Sequence, residues 1–290
     1  FQQPVGGWTL MPGLRVERDS RHVSSPGEPE IDIARTDVFP TLHIDRPLGK
    51  TLDLTLSYSK RIDRPQLIDL RPYPLVQDVL TIKEGNPHLE DQATGSYEIN
   101  LHYHRKKVDA GVIVYDRETT RLWSQDYTVI NGVNVFTIIN AGRSRDRGAE
   151  FDLTAPIVKR VKLSVSVNLF DQRAPVDTGT GAASEDTFRY TTNATLEWDA
   201  PDRGEVPGDV AQLQWIYNSP SRQFQLRYDP WNWLSLSYTH SFSRTVSLTG
   251  TADYQGLNRH RLIAPLVQEF YSQRTPLVFK LKLLKTFGKP

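Results

Sequence analysis

Apolar and polar side chains alternate along most of this chain with a period of two, the signature of half-buried strands. In 51–59, Leu52, Leu54, Leu56 and Tyr58 share one side, and Asp53, Thr55, Ser57 and Ser59 the other. In 97–104, Tyr97, Ile99, Leu101 and Tyr103 oppose Glu98, Asn100, His102 and His104. In 161–169, Val161, Leu163, Val165, Val167 and Leu169 oppose Lys162, Ser164, Ser166 and Asn168. The same holds in 246–254, where Val246, Leu248, Ala252 and Tyr254 form the apolar side. It holds again near the C-terminus, where Leu277, Phe279, Leu281 and Leu283 form a stripe.

About twelve such segments are predicted. They lie near 8–18, 36–46, 51–61, 93–104, 107–122, 134–155, 160–170, 187–199, 210–218, 223–240, 245–256 and 274–287. Helical periodicity is nearly absent.

The links between segments add a second pattern. Those at 46–50, 104–107, 156–160 and 241–244 are short. Those at 19–35, 62–92, 123–133, 171–186 and 257–273 are long. The link 201–209 is intermediate, and 219–222 is short where a long one is due. Short turns at one end and long loops at the other describe an up-and-down barrel in an outer membrane. A sandwich has no reason to keep that parity. Aromatics, including Tyr58, Tyr97, Tyr103, Tyr115, Trp198, Trp215, Tyr217, Tyr228, Trp231, Tyr238 and Tyr254, sit near the ends of apolar stripes. Such rings favour the headgroup level. In hydrocarbon each unpaired backbone group costs several kcal/mol, so a sheet there must close.

Composition narrows the field. Lys+Arg 35 against Asp+Glu 34 leaves a net charge of +1, too little for a partner such as nucleic acid, which needs a basic surface. With no cysteine, disulfides, thiol catalysis and Cys-ligated zinc are excluded. No apolar run reaches the roughly 18 residues of a membrane helix. Hydrophobic content of 38% is low for a packed globule but suits a barrel, which spends only alternate residues on lipid. The chain begins at Phe1, as a mature product or an excised piece does.

One block carries a family resemblance. The stretch "YSKRIDRPQLIDLRPYPLVQDVLTIKEGNPHLEDQATGSYEINL" (58–101) resembles a recurrent block of TonB-dependent outer-membrane receptors, in the outer-membrane β-barrel family branch. There a Tyr-Ser-x-Arg-Ile-x-Arg-Pro strand end runs into a long external loop. The loop ends in Glu-Gly-Asn-Pro-x-Leu, and a Ser-Tyr-Glu-Leu strand follows. The matching positions are Tyr58, Ser59, Arg61, Ile62, Arg64 and Pro65, then Glu84, Gly85, Asn86, Pro87 and Leu89, then Ser96, Tyr97, Glu98 and Ile99. Downstream, "NAGRSRDRGAEFDL" (140–153) resembles the family's Asn-x-Gly…Gly-x-Glu strand. Residues 233–261 resemble its penultimate hairpin, and "PLVFKLKLLKTFGKP" its closing strand, with Phe287 as the terminal aromatic.

The resemblance implies an all-β, antiparallel up-and-down transmembrane barrel, with residues 1–290 as part of a larger one. No plug domain is visible in 1–290. The implied place is the outer membrane of a Gram-negative cell, among its lipids. The implied work is TonB-dependent uptake of a scarce solute, namely a siderophore, peptide, vitamin or glycan, with TonB acting through a plug. A passive barrel without energy coupling and a soluble binding sandwich remain as alternatives.

Candidate chemistry is sparse, and no catalytic residue, cofactor or metal site is predicted. His102 and His104 lie two apart on one strand face, close enough to share a metal. No third ligand is near in sequence, so they read as polar residues of the bore. The run 143–147, "RSRDR", reads as a solvated face with some capacity for anions. "GTGAAS" (179–184) lacks the Lys-Ser/Thr of a phosphate loop. No His-x-Ser-Asn-Gly block of an outer-membrane phospholipase appears, so the chain is not read as an enzyme. Candidates for ligand contact are loop residues on the long-loop side: Arg71, Tyr73, Trp123, Tyr127, Arg259, His260 and Tyr271. Aromatics and Arg are the usual anchors of recognition surfaces.

Overall fold

The structure is a computed structural model. It describes residues 2–24, 27, 30–178, 181–256, 258–264, 267–273 and 277–287, with backbone alone at 258–260, 262–264 and 267–273. The strands are β1 (Gln3–Val5), β2 (Trp8–Val23), β3 (Ile31–Pro47), β4 (Leu52–Asp63), β5 (Leu75–Asp78), β6 (Thr81–Lys83) and β7 (Gln92–Arg105). They continue as β8 (Val108–Ile130), β9 (Val133–Val158), β10 (Val161–Asp177), β11 (Ala182–Asp199), β12 (Val210–Asn218), β13 (Ser221–Gln223) and β14 (Leu226–Tyr228). The last are β15 (Trp231–Ser241), β16 (Val246–Gln255), β17 (Asn258–Ala264), β18 (Val267–Gln273) and β19 (Val278–Lys285).

The long strands pair antiparallel with their chain neighbours in the order β1-β2-β3-β4-β7-β8-β9-β10-β11-β12-β15-β16-β19. Short strands β5, β6, β13, β14, β17 and β18 belong to the links at one end. Among the described residues no pairing joins the two outermost strands, so these residues form a wall that further strands can extend.

Register turns the alternation into a band. One row runs Leu10, Ile44, Leu56, Ile99, Val114, Ala149, Leu169 and Tyr190, each residue facing the next across a strand pair. The row below it runs through Leu54, Leu101, Val112, Phe151, Val167 and Thr192. The apolar residues of the band, which continues through Leu236 of β15 and Leu281 of β19, stay outside any core: Ile99 is 52% exposed, Leu236 54% and Leu281 80%. The accessible surface is 18421 Å². A soluble monomer of 33.1 kDa exposes only about 12,500 Å². Both faces of the wall contribute to the excess, and among the described residues the only other sheet is the small β13-β14-β17-β18 one in the links, which is not a sandwich layer. Lipid is the medium that covers such a band.

Aromatics edge the band on its outer face. Tyr58 and Tyr97 meet at 4.6 Å between ring centres, and Tyr190 stacks on Tyr217 at 5.4 Å. Tyr103, Trp198 and Tyr238 lie toward the short-turn end of the same face. Three expected girdle members are elsewhere: Tyr228 belongs to the link strand β14, and two others face the bore. Tyr115 faces the bore with only 5% exposure, and its hydroxyl donates to Asn168 Oδ1 at 2.8 Å. Trp231 falls on the bore parity too, opposite Asn218. Both follow from strand parity, which ring type alone does not reveal.

The turn parity is sharper than the sequence shows. One end carries the short links 48–51, 106–107, 159–160 and 242–245, plus 200–209. Lys106 and Arg160 adopt positive φ (55° and 70°), the left-handed conformation that lets the chain reverse within two residues. The other end carries 24–30, 64–91, 219–230 and 256–277.

Three expectations need correction. Residues 123–133 and 171–186 are mostly strand, because β8 with β9 and β10 with β11 run on as hairpins past the apolar band. Beyond lipid both faces meet water, so the alternation fades while the pairing continues. The segment 223–240 is also not one strand. β14 ends at Tyr228, and Pro230, which has no N–H for a ladder, precedes β15. The apparent short link at 219–222 is thereby the start of a longer excursion, 219–230, and the parity is restored.

Candidate functional site

The long-loop end holds the most elaborate local structure, centred on 64–91. A 3-10 turn (Leu67–Leu70) and the β5–β6 hairpin lead into "EGNPHLED", 84–91, which lies down on β8 and β9. Asn86 Nδ2 donates to the Ile138 carbonyl at 3.0 Å, and Asn86 Oδ1 accepts the His88 amide at 3.1 Å. The second bond is the Asx turn that Asn before Pro favours. Glu90 N–H donates to Asn140 Oδ1 at 2.8 Å, while Asn140 Nδ2 returns to the Glu90 carbonyl at 3.1 Å. The Trp123 indole donates to the same carbonyl at 2.7 Å. Arg121 holds positive φ (54°) at a bulge in β8 and donates Nε to the Asp91 carbonyl at 2.6 Å.

Within this segment Leu89 and Asp91 are both fully buried. Arg21 of β2 pairs with the Asp91 carboxylate, and its Nη1 donates to the Leu89 carbonyl at 3.1 Å. Arg35 of β3 reaches Glu90 at 2.9 Å. Gly85 is needed for contact: a Cβ there would sit 2.4 Å from the Arg71 carbonyl oxygen. The motif that carries the family resemblance is thus a clamp, tying the largest external link to four strands.

The seven loop candidates separate. Arg71 donates Nε to the Ile68 carbonyl at 2.9 Å and Nη2 toward the Lys83 carbonyl at 3.5 Å, which braces the loop. Trp123 is part of the clamp. Tyr127 packs edge-on against Phe136 at 4.6 Å, and its amide donates to Gln225 Oε1 at 2.7 Å. Tyr73 is 56% exposed and lines a crevice of about 560 Å³ with Glu30, Ile31, Pro72, Glu84 and His88. The side chains of Arg259, His260 and Tyr271 lie outside the described residues, though their strands pair as β17 and β18. Of the four described candidates, Tyr73 alone lines that crevice.

Pattern reading missed two polar clusters, one at the candidate site and one at the other end. Gln225 is 2% exposed and bonds Asp126 Oδ1 at 3.0 Å and Asp177 Oδ2 at 2.8 Å. It ties the 219–230 excursion to β8 and β10. Burial, with the charge of Asp177 second, raises the Asp126 carboxyl above its ordinary range. At the opposite end Asp209 collects the Tyr238 hydroxyl at 2.7 Å, His240 Nδ1 at 2.9 Å and Arg203 at 3.0 Å. Those donors, the Tyr238 hydroxyl foremost, hold its carboxyl far below the usual range.

A lipid-facing band, girdles, bare turns at one end and clamped loops at the other define an outer-membrane β-barrel wall. Residues 1–253 match the outer membrane protein beta-barrel family, and the chain belongs to that family. No curated protein matches it in sequence. Among solved structures it is similar to the siderophore receptor PirA from Pseudomonas aeruginosa, with 18% identity and a TM-score of 0.59 over 85% of this chain and 42% of that one. It is similar to the copper transporter OprC, with 13% identity and a TM-score of 0.66 over 98% and 46%. The FrpB iron transporter from Neisseria meningitidis gives 11% identity and a TM-score of 0.62 over 97% and 43%. The chain therefore spans less than half the length of these proteins, and the likeness is one of fold.

Proposed function

We propose that residues 1–290 form the wall and external loops of a TonB-dependent uptake receptor for a scarce solute. The asymmetry of the two ends supports this most. A passive channel needs only a wall, whereas here the external end is built up and clamped, with Tyr73, Pro72 and His88 around an open crevice. Residues held on rigid strands make more precise recognition surfaces than free loops. The reading includes a coupling plug contributed from outside residues 1–290. The solute classes are siderophores, peptides, vitamins and glycans, bound without covalent chemistry. The Arg71–Tyr73 corner is the first place of contact, with Arg259, His260 and Tyr271 as further contacts.

Uptake assays in the source cell test it. Radiolabelled candidate solutes are offered to cells with and without the gene, and with and without a protonophore. Uptake that needs the gene and stops with the protonophore is the expected result. Gene-dependent uptake that survives the protonophore identifies a passive barrel and overturns the proposal.

A further inference from the structure

At the short-turn end of the bore face, four side chains of ligand type meet. Pairing sets Asp53 of β4 opposite His102 of β7, and His104 of β7 opposite Asp109 of β8. Residues two apart on a strand share a face, so all four project to the same side. That side is the one opposite the lipid band. His104 Nδ1 lies 3.3 Å from Asp53 Oδ2. His102 Nε2 lies 3.1 Å from both Asp109 oxygens. The two imidazole centres are 5.7 Å apart. One ligand atom each from Asp53, His102 and His104 falls within 4.8 Å of the others.

These spacings suit an ion. A metal with bonds of about 2.0–2.1 Å to nitrogen and oxygen holds tetrahedral ligands about 3.3 Å apart. The Asp53–His104 pair is already at that separation, and small side-chain rotations close the rest. Two imidazoles with a carboxylate are donors for zinc, copper(II) or nickel, whereas calcium and magnesium take oxygen sets. The scaffold is rigid: three adjacent paired strands, with the His104 amide bonded to the Thr51 carbonyl at 2.9 Å. Asp53 and His102 are half-buried and His104 is exposed, so an ion has a path in. The two aspartates supply charge that an incoming cation neutralises.

We propose that Asp53, His102 and His104 bind a divalent first-row transition ion on the bore face, with Asp109 as an adjoining carboxylate. The site needs only the wall, so it stands whether or not the uptake reading does. Cross-strand His–Asp ion pairs without metal affinity are the competing account.

The test uses the full-length gene product, purified in detergent and stripped with a chelator. Zinc binding is followed by calorimetry, and cobalt binding by visible absorption. His102→Gln with His104→Gln and, separately, Asp53→Asn are compared with the unaltered protein. Heat-modifiable migration on gels confirms that each barrel is folded. The unaltered protein should bind one zinc more per chain than the double-glutamine variant. Its cobalt spectrum should contain visible bands that the variant loses. Asp53→Asn should weaken binding at least about tenfold, since even outer partners of ligands are worth that much. Identical stoichiometry and spectra in the unaltered and double-glutamine proteins, with both folded, would overturn the proposal.

Discussion

Replacing Val165 by arginine puts the membrane assignment at risk. Val165 pairs with Leu153 on one side and Ala194 on the other, within the lipid band. It is four residues from each end of the stripe Val161 to Leu169. At about 3.3 Å per residue and a tilt near 40°, that stripe rises roughly 20 Å, which puts Val165 near the midplane. Arginine there costs about 2–4 kcal/mol. That is a loss of roughly 30- to 900-fold in the folding equilibrium. The next residue, Ser166, faces Asp152 and Asn193 on the bore side, where an arginine finds water and a carboxylate. Ser166→Arg should cost less than about 1 kcal/mol. Both are measured by guanidinium titration of barrels folded into short-chain phosphatidylcholine vesicles, read by tryptophan fluorescence. Equal costs, or a larger cost at Ser166, would refute the assigned faces.

Gly85→Ala drives a methyl into the Arg71 backbone, so the external link should undock and trypsin should cut 64–91 faster, with the barrel intact on gels. Arg21→Ala leaves the Asp91 carboxylate buried without its partner, a change of about 3–5 kcal/mol, read as higher hydrogen exchange at 84–91. Asp126 carries a raised carboxyl, so its folded form favours the proton. Its stabilising contribution is full below the ordinary carboxylate value and is lost as pH rises through the raised one. Protection of 219–230, corrected for intrinsic exchange, should therefore increase from pH 7 toward pH 4. Asp126→Asn should be protected at pH 7 already; a wild-type loop that loosens on acidification would contradict this.

Much of the wall was legible because lipid imposes a strict period. Tyr58 and Tyr97, assigned to one face by alternation, are partners in register, and so are Leu56 and Ile99. Legibility ends where lipid ends. Residues 123–133 looked like loop because strand in water tolerates polar side chains on both faces. The clamp was visible as a motif but not as a mechanism, because Arg21 and Asn140 reach Asp91 and Glu90 from distant strands. His102 and His104 had no third partner in sequence, since Asp53 arrives only through the β4–β7 pairing. Gln225 carried no signal at all: a buried glutamine between two aspartates is a product of tertiary packing.

Residues 1–290 contain no cysteine, which makes the central claim directly measurable. Single cysteines placed in turn at 161–169 and spin-labelled in lipid report collisions with oxygen, which dissolves in acyl chains, and with a nickel chelate, which stays in water. Oxygen should dominate at 161, 163, 165, 167 and 169, and the nickel chelate at the positions between them. Labels along β10 that report one medium throughout, or that are shielded from both reagents at the odd positions, would contradict a wall with lipid on one face and water on the other.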